Sequence, residues 1–465
     1  LAAEGIEDRF ARVLFRPDAG QAAGAPAGEP VFGAHDGGPV EDADFDGDGD
    51  IDGDGNIDRN DADIDGDGDP DVVSASTLDS KIAWYPNSGS GSFGIQEVIT
   101  TATAGPAGVV ADDLDGDGDL DLLAVSSADN TISWFENVGA GVFGNQRIIT
   151  TLAIRAFQVV SADLDGDGDP DVVSAAYNQN TVAWYENLGA GQFSDLQLIA
   201  DEFSVSSVQT EDADGDGDID VFASVSQSDK VVWYKNDGDG NFGTEIIISD
   251  VLDGAGSMSA LDVDGDTDID VLAASLLDDK IVWFENDGSG SFGTEKSVTN
   301  AINAPERVVA GDLDGDGDFD VVAVSQFDDN IVWFENLGGG VFGPGQLLSA
   351  AANGVTSMFI QDLTGDGHLD VLSASYTQDQ IAWYRNGLER DFGDAPDPSY
   401  RTLLSSDGAR HEITDLFLGA SVDAERDGQP SATATGDDSD SSDNDEQGVT
   451  FSGLIAGNQE AAIEV

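Results

Sequence analysis

The chain contains no cysteine, only three histidines and only 17 lysines and arginines among 465 residues. Each scarcity removes a class of function. Without cysteine there are no disulfides, no thiolate metal ligands and no cysteine nucleophile. His35, His368 and His411 fall in three separate regions, with no serine nucleophile motif beside any of them, so no catalytic triad can be assembled. The bases are scattered against 93 Asp and Glu, for a formal charge of −76. Nucleic acid and anionic membrane surfaces need clustered positive charge, and neither is an expected partner. No run approaches the ~20 apolar residues of a membrane span, so direct membrane insertion is not expected. No glycine-rich loop follows a strand and opens a helix, which leaves nucleotide binding unsupported. The chain starts at Leu1 without a Met or a signal peptide, and reads as a processed or partial product.

What the chain has in abundance is one acidic stretch, Asp113-Leu-Asp-Gly-Asp-Gly-Asp-Leu-Asp121, with Asp113, Asp115, Asp117, Asp119 and Asp121 at every second position. It stands first at Asp63, Asp65, Asp67, Asp69 and Asp71, and after 121 at Asp163, Asp165, Asp167, Asp169 and Asp171. Further copies are Asp212, Asp214, Asp216, Asp218 and Asp220, then Asp262, Asp264, Asp266, Asp268 and Asp270, then Asp312, Asp314, Asp316, Asp318 and Asp320. The last, altered, is Asp362, Thr364, Asp366, His368 and Asp370. Successive starts lie 50, 50, 49, 50, 50 and 50 residues apart. Five carboxylates in nine residues repel one another unless a cation sits among them, and hard oxygen ligands on a glycine-turned loop suit calcium better than magnesium. So much acid could instead mean disorder or a salt-adapted surface. Disorder does not fit, because 40% of the residues are hydrophobic and recur in register with the loops.

A repeat of this period signals a propeller or solenoid. Each unit holds four short runs rich in Val, Ile and aromatics, separated by Gly, Asn and Asp turns, as in a propeller blade of four strands. The expected fold is therefore all-β: a seven-bladed β-propeller with calcium loops between strands, followed by a partial C-terminal β-sandwich-like domain. All seven tryptophans, Trp84, Trp134, Trp184, Trp233, Trp283, Trp333 and Trp383, occupy one position of the unit. A ring of sugar-stacking platforms is one reading. A wedge packed between neighbouring blades is the favoured one, because these residues lie in the most apolar strand. The Asn three residues after each Trp is expected to cap a turn.

These loops, with Phe93-Gly, Phe143-Gly, Phe242-Gly, Phe292-Gly and Phe342-Gly, resemble the FG-GAP/VCBS repeats that build seven-bladed integrin α-like propellers and many secreted bacterial proteins. The resemblance covers about residues 31–392. It implies calcium ligation by side chains at loop positions one, three, five and nine and by the carbonyl of position seven. For the second loop these are Asp113, Asp115, Asp117 and Asp121, with the Asp119 carbonyl. About seven calcium ions are expected. In the last loop Thr364 replaces a carboxylate and His368 falls at the carbonyl position, which makes it the weakest site. Thr267 replaces a turn glycine in the fifth loop, and Ser194 replaces the Gly after Phe193.

The first repeat carries a duplicated loop at 42–71. Within it Asp50, Asp52, Asp54, Asp58 and Asp61 stand at positions one, three, five, nine and twelve, with Gly55 at six. This resembles the calcium loop of EF-hand and dockerin modules and implies one or two further ions. An acidic insertion with no fixed site is the competing reading.

Residues 1–30 read as an N-terminal arm or linker, with a segment within Arg12–Gly33 as the candidate ring-closing strand or assembly contact. The propeller is expected over 31–390. In the tail, 391–465, Asp391-Phe-Gly-Asp-Ala-Pro-Asp397, Asp407-Gly-Ala-Arg-His411 and Val422-Asp-Ala-Glu425 resemble the start of a GEVED-type extracellular β-domain. Its last strand-like run, Ala461–Val465, suggests that the natural protein continues or that another chain completes the edge. Extracellular calcium loops bind in the range of about 10⁻⁴–10⁻³ M, so the cell surface or the bacterial exterior is the expected location. The expected function is a non-enzymatic, calcium-stabilised structural or adhesive protein, self-associating head-to-tail into filaments or binding other surface proteins. A glycan-binding propeller is the alternative, and a propeller polysaccharide lyase a third reading.

Overall fold

A computed structural model describes residues 63–386, apart from 90, 177–180, 202–203, 366, 376 and 378–379. It also describes two short antiparallel pairs in the tail, Arg390–Phe392 with Arg410–Glu412 and Thr450–Ser452 with Ala462–Glu464. The chain divides into two units, Leu1–Asn386 and Gly387–Val465. The N-terminal arm, the candidate closing segment and the Asp50–Asp61 loop lie outside the described residues, as does most of the stretch resembling a GEVED-type domain. Among the described residues no helix is long and apolar enough to cross a membrane.

Seven antiparallel sheets follow one another along the first unit, each strand pairing with the next in sequence. These are the seven blades of a propeller. In blade 2 the inner strand is Pro106–Asp112, the second Asp121–Ser126, the third Thr131–Phe135 and the outer Arg147–Thr150. Five blades show four strands, while blades 1 and 7 show three among the described residues. The second and third strands of blade 2 form a hairpin closed by the pair Ser126↔Thr131. Its turn ends on a positive φ at Asn130 (62°), and Ser80, Asp229, Asp279 and Asp329 repeat that geometry at 55–58°. Short polar side chains tolerate this region better than branched ones.

Burial explains the residue choice along each blade. The second strand is buried at every position in all seven blades. Both of its faces meet neighbouring sheets, so it reads as continuous Val, Leu and Ala instead of alternating. Outer strands such as Arg147–Thr150 are half exposed and mix charge with aliphatics. Burying each Val or Leu of a second strand contributes roughly 1.5–3 kcal/mol.

Inner strands lie beside one another around the axis and are laced by side chains. Gln158 acts as a one-residue strand: its Nε2 donates to the Val208 carbonyl and its Oε1 accepts from the Val208 amide, both at 3.1 Å. Gln209 Oε1 accepts from the Ala260 amide at 2.7 Å, and Arg307 Nε donates to the Thr356 carbonyl at 2.8 Å.

The tryptophans are wedges. Trp84, Trp134, Trp184, Trp233 and Trp283 are at most 4% exposed. Each is covered by a glycine of the next blade, where no side chain fits. A Cβ on Gly141 would stand 2.3 Å from Trp84, and one on Gly191 2.1 Å from Trp134. The Phe of the Phe-Gly dipeptide then packs edge-on against the same ring, as in Trp184–Phe242 at 6.3 Å and Trp233–Phe292 at 6.2 Å between centroids.

The ring closes by the same contacts. Trp383 of blade 7 meets Phe93 of blade 1 at 6.0 Å, and a Cβ on Gly91 would lie 2.1 Å from Trp383. Leu363, Leu372 and Ile381 of blade 7 share one buried cluster with Val72 and Tyr85 of blade 1.

Candidate metal centre

In blades 2 to 7 the acidic loop joins the inner strand to the second strand. Its fold is dictated by its first residue, whose carboxylate gathers three backbone amides. In blade 1 Asp63 Oδ1 accepts from Gly66 and Asp67 at 2.8 and 3.0 Å, and Oδ2 accepts from Gly68 at 2.8 Å. Asp163, Asp212 and Asp312 repeat the pattern. The two glycines supply the positive φ this curl needs, 77° at Gly66 and 92° at Gly68. The fifth-position Asp faces outward and caps the turn, with Asp67 Oδ1 accepting from the Asp69 amide at 3.1 Å.

Positions one, three and nine converge. The groups Asp63/Asp65/Asp71, Asp113/Asp115/Asp121, Asp163/Asp165/Asp171, Asp212/Asp214/Asp220 and Asp262/Asp264/Asp270 each bring carboxylate oxygens within 4.8 Å of one another, and a sixth group does the same. Positions five and seven are not among these converging carboxylates. In blade 7, Thr364 stands at the third position and its hydroxyl donates to Asp362 Oδ1 at 3.3 Å. Asp366 lies outside the described residues.

These donors fit a divalent cation. The Oδ1 atoms of Asp65, Asp115, Asp214 and Asp264, with Oδ2 of Asp121, are buried and meet no hydrogen-bond donor. An oxygen in that state is costly unless a cation or water faces it. All-oxygen, carboxylate-rich coordination on a curled loop is calcium's preference. Burial, the largest cause, pushes the ninth-position carboxyls up: Asp71, Asp171, Asp270 and Asp320 to about 7, Asp121 to about 8 and Asp220 to about 6. The negative charge of the third position adds to that rise.

The ninth-position Asp also carries the link to the rest of the ring. Asp171 Oδ1 accepts the Asn187 amide at 2.6 Å and Oδ2 accepts the Leu164 amide at 3.0 Å. The Leu164 carbonyl, on the far side of the same residue, accepts Nδ2 of Asn236 in blade 4 at 2.6 Å. Asn187 Nδ2 in turn donates to Leu114 of blade 2 at 2.8 Å. So each blade's asparagine side chain grips the loop of the blade before it, while its amide is held by the ninth-position carboxylate of its own loop. Asn87 closes the circuit by donating to Leu363 of blade 7 at 2.9 Å. Only blade 2 breaks it, because the Leu114 amide turns to the Asp112 carbonyl and leaves Asp121 Oδ2 alone.

The expected turn-capping role of the asparagine is thus half of its work. Oδ1 does accept the next turn's amides, as from Gly139 and Gly189 at 3.1 and 3.2 Å. The inter-blade grip by Nδ2 lies beyond that local role, although its signal is in the sequence as a sevenfold Asn at constant distance from Trp. A side chain that only capped a local turn would tolerate Asp or Ser at some copies.

The fifth loop has one strained position. Thr267 sits at φ 76°, where the other loops have Gly, and still donates its amide to Asp262 Oδ2 at 2.7 Å. A β-branched residue there costs about 1 kcal/mol. Thr267→Gly is expected to stabilise the propeller by about that amount in urea unfolding. A destabilised variant would contradict the assignment of strain.

Comparison with known proteins agrees with this architecture. A family model described as FG-GAP-like repeat matches residues 63–124, 113–174, 163–223, 212–273, 262–323 and 312–373, each match running from one acidic loop through the next. No curated protein matches the chain. Among solved structures, a lectin from Agrocybe aegerita that recognises non-reducing terminal N-acetylglucosamine is 18% identical, with 67% of this chain and 84% of that one covered and a TM-score of 0.50. The BP39L lectin from Burkholderia pseudomallei is 16% identical over 69% of this chain and 96% of its own, also at 0.50. Virginiamycin B lyase from Staphylococcus aureus is 14% identical over 68% and 91%, at 0.46. At these identities the likeness to the two lectins is one of fold alone.

Proposed function

The chain belongs to the FG-GAP-like repeat family, and from that premise we propose that it is an extracellular, calcium-hardened propeller with a structural or adhesive role and no catalysis. The observation that carries the reading is the set of buried triads with unpartnered oxygens, one behind nearly every blade junction. Calcium there would be held by positions one, three and nine and would supply the positive charge that lets three carboxylates stay together. The residues themselves do the structural work: the ninth-position Asp holds the loop's second residue, and the next blade's Asn holds that residue's carbonyl. Carboxylates so committed are withdrawn from acid–base duty.

The blade edges support association. Val98, Ile148, Leu198, Ile247 and Leu347 lie on outer strands and are between 48 and 59% exposed. Short aliphatic edge strands around a rim offer pairing surface to a second chain. Self-association, or docking of other surface proteins, is the partner class this favours. Glycan binding, the alternative, would have to use side chains other than the five tryptophans sealed under glycine.

The test is light scattering and negative-stain imaging in millimolar calcium and then in excess chelator. Long regular polymers in calcium that fall apart in chelator are expected. Monomers in both conditions, together with a hit on a glycan array, would replace this reading with the glycan-binding one.

A further inference from the structure

The residue before the clamp asparagine is Glu136, Glu186, Glu285 and Glu335 in blades 2, 3, 5 and 6, Pro86 and Arg385 in blades 1 and 7, but Lys235 in blade 4. The backbone is the same in blades 2 to 6, because the carbonyl of this residue accepts the amide after the Phe at 2.7–2.8 Å in all five. The glutamates are held in place by the outer-strand residue paired with the blade's Trp. Arg147 pairs with Glu136, Gln197 Nε2 donates to Glu186 at 3.1 Å, Lys296 Nζ meets Glu285 at 2.9 Å and Gln346 Nε2 reaches Glu335 at 3.4 Å. In blade 4 that outer-strand position is Ile246, opposite Trp233. Among the four-stranded blades, the charge inversion and the loss of the tether both fall in blade 4.

Lys235 reaches into the acidic loop of its own blade. Its Nζ contacts Asp214, a member of the triad, and lies 2.7 Å from Asp216. Lys296 of blade 5 differs: its ammonium lies 4.0 Å over the Trp283 ring and is paired with Glu285, with Asp264 only at 4.0 Å. An ammonium bonded to Oδ2 of both carboxylates cancels part of the loop's charge and repels a divalent cation, while Asp214 Oδ1 keeps no donor of its own.

We propose that the Lys235 ammonium is the resident cation of blade 4, so that this blade's triad takes no calcium while the glutamate-flanked triads do. Blade 4 then stays locked when calcium is withdrawn and serves as a permanent anchor of the ring. The inference rests on the calcium reading given above.

Calcium bound per chain, counted by native mass spectrometry and by calorimetric titration, separates the two ideas. Lys235→Glu is expected to bind one calcium more than the wild type and to melt lower than it in chelator. The double variant Glu186→Lys with Gln197→Ile, which transplants blade 4's pair into blade 3, is expected to bind one fewer and to test the point should Lys235→Glu fail to fold. A wild type that binds calcium with neither variant changing the count overturns the role of Lys235 and leaves the calcium reading standing. A wild type that binds none overturns both.

Discussion

In excess chelator the propeller is expected to melt tens of degrees below its calcium-loaded form. A ligand at a hundredfold excess over its dissociation constant stabilises the folded state by about 2.7 kcal/mol per site. Five such sites acting on one cooperative ring would contribute on the order of 13 kcal/mol, comparable with the whole stability of an ordinary domain at about 5–15 kcal/mol. Proton linkage gives the effect a second signature. Without the ion, the ninth-position carboxyls are raised by burial to about 6–8, against an ordinary 3.8. The folded chain therefore binds protons that the unfolded chain releases, and this contribution is full below about pH 4 and lost as pH rises through 6–8. The chelated protein should melt higher at pH 5 than at pH 8. The calcium-loaded protein should do the reverse, because protons compete with the cation for the same oxygens. Scanning calorimetry at both pH values, with and without calcium, measures all four states. Equal melting with and without calcium would count against the account.

Asn187→Ala should be the most damaging single truncation of the ring that leaves all of the acidic residues in place. Asn187 is fully buried, and its Nδ2 donates to Leu114 of the preceding blade at 2.8 Å and to Pro170 of its own at 3.0 Å. Truncation takes the donor from the buried Leu114 carbonyl and from the part-buried Pro170 carbonyl, the first at about 1–3 kcal/mol and the second at less, so a loss of roughly 2–4 kcal/mol is expected. Asn187→Asp should be worse. It keeps the shape but turns two donors into acceptors facing carbonyls, and adds a charge beside Asp171. Asn241→Ala, at an exposed loop position bonded only within its own turn, is the control and should stay within about 0.5 kcal/mol. Urea unfolding in calcium reads all three. A mild effect of Asn187→Ala, equal to the control, would mean that the inter-blade grip is dispensable.

The fold was legible because period and pattern agree at every level. Seven acidic loops at a near-constant step, each between apolar runs, define seven sheets. One Trp per unit defines seven blade junctions, and the glycine that seals six of them is visible four residues after the next unit's Asn, as Gly141 after Asn137. The site was only half legible. Alternating aspartates announced a cation loop, but five equivalent-looking carboxylates divide into three that converge, one that caps a turn and one beyond both. That division follows from the curl imposed by the first Asp and the two positive-φ glycines, which a list of spacings does not contain. Asn187 and its six counterparts were read locally because sequence shows neighbours along the chain. Their second partners lie 72–73 residues away, or 276 for Asn87. The contrast between Glu186 and Lys235 is visible in the sequence as well, yet its meaning depends on how far each side chain reaches toward the triad.

The most direct test of the central claim is an anomalous difference map from crystals grown in calcium, recorded at a wavelength where calcium scatters anomalously. The account predicts peaks between positions one, three and nine of the glutamate-flanked loops, as among Asp113, Asp115 and Asp121, and none between Asp212, Asp214 and Asp220. Loops that stay free of anomalous density in millimolar calcium would contradict it.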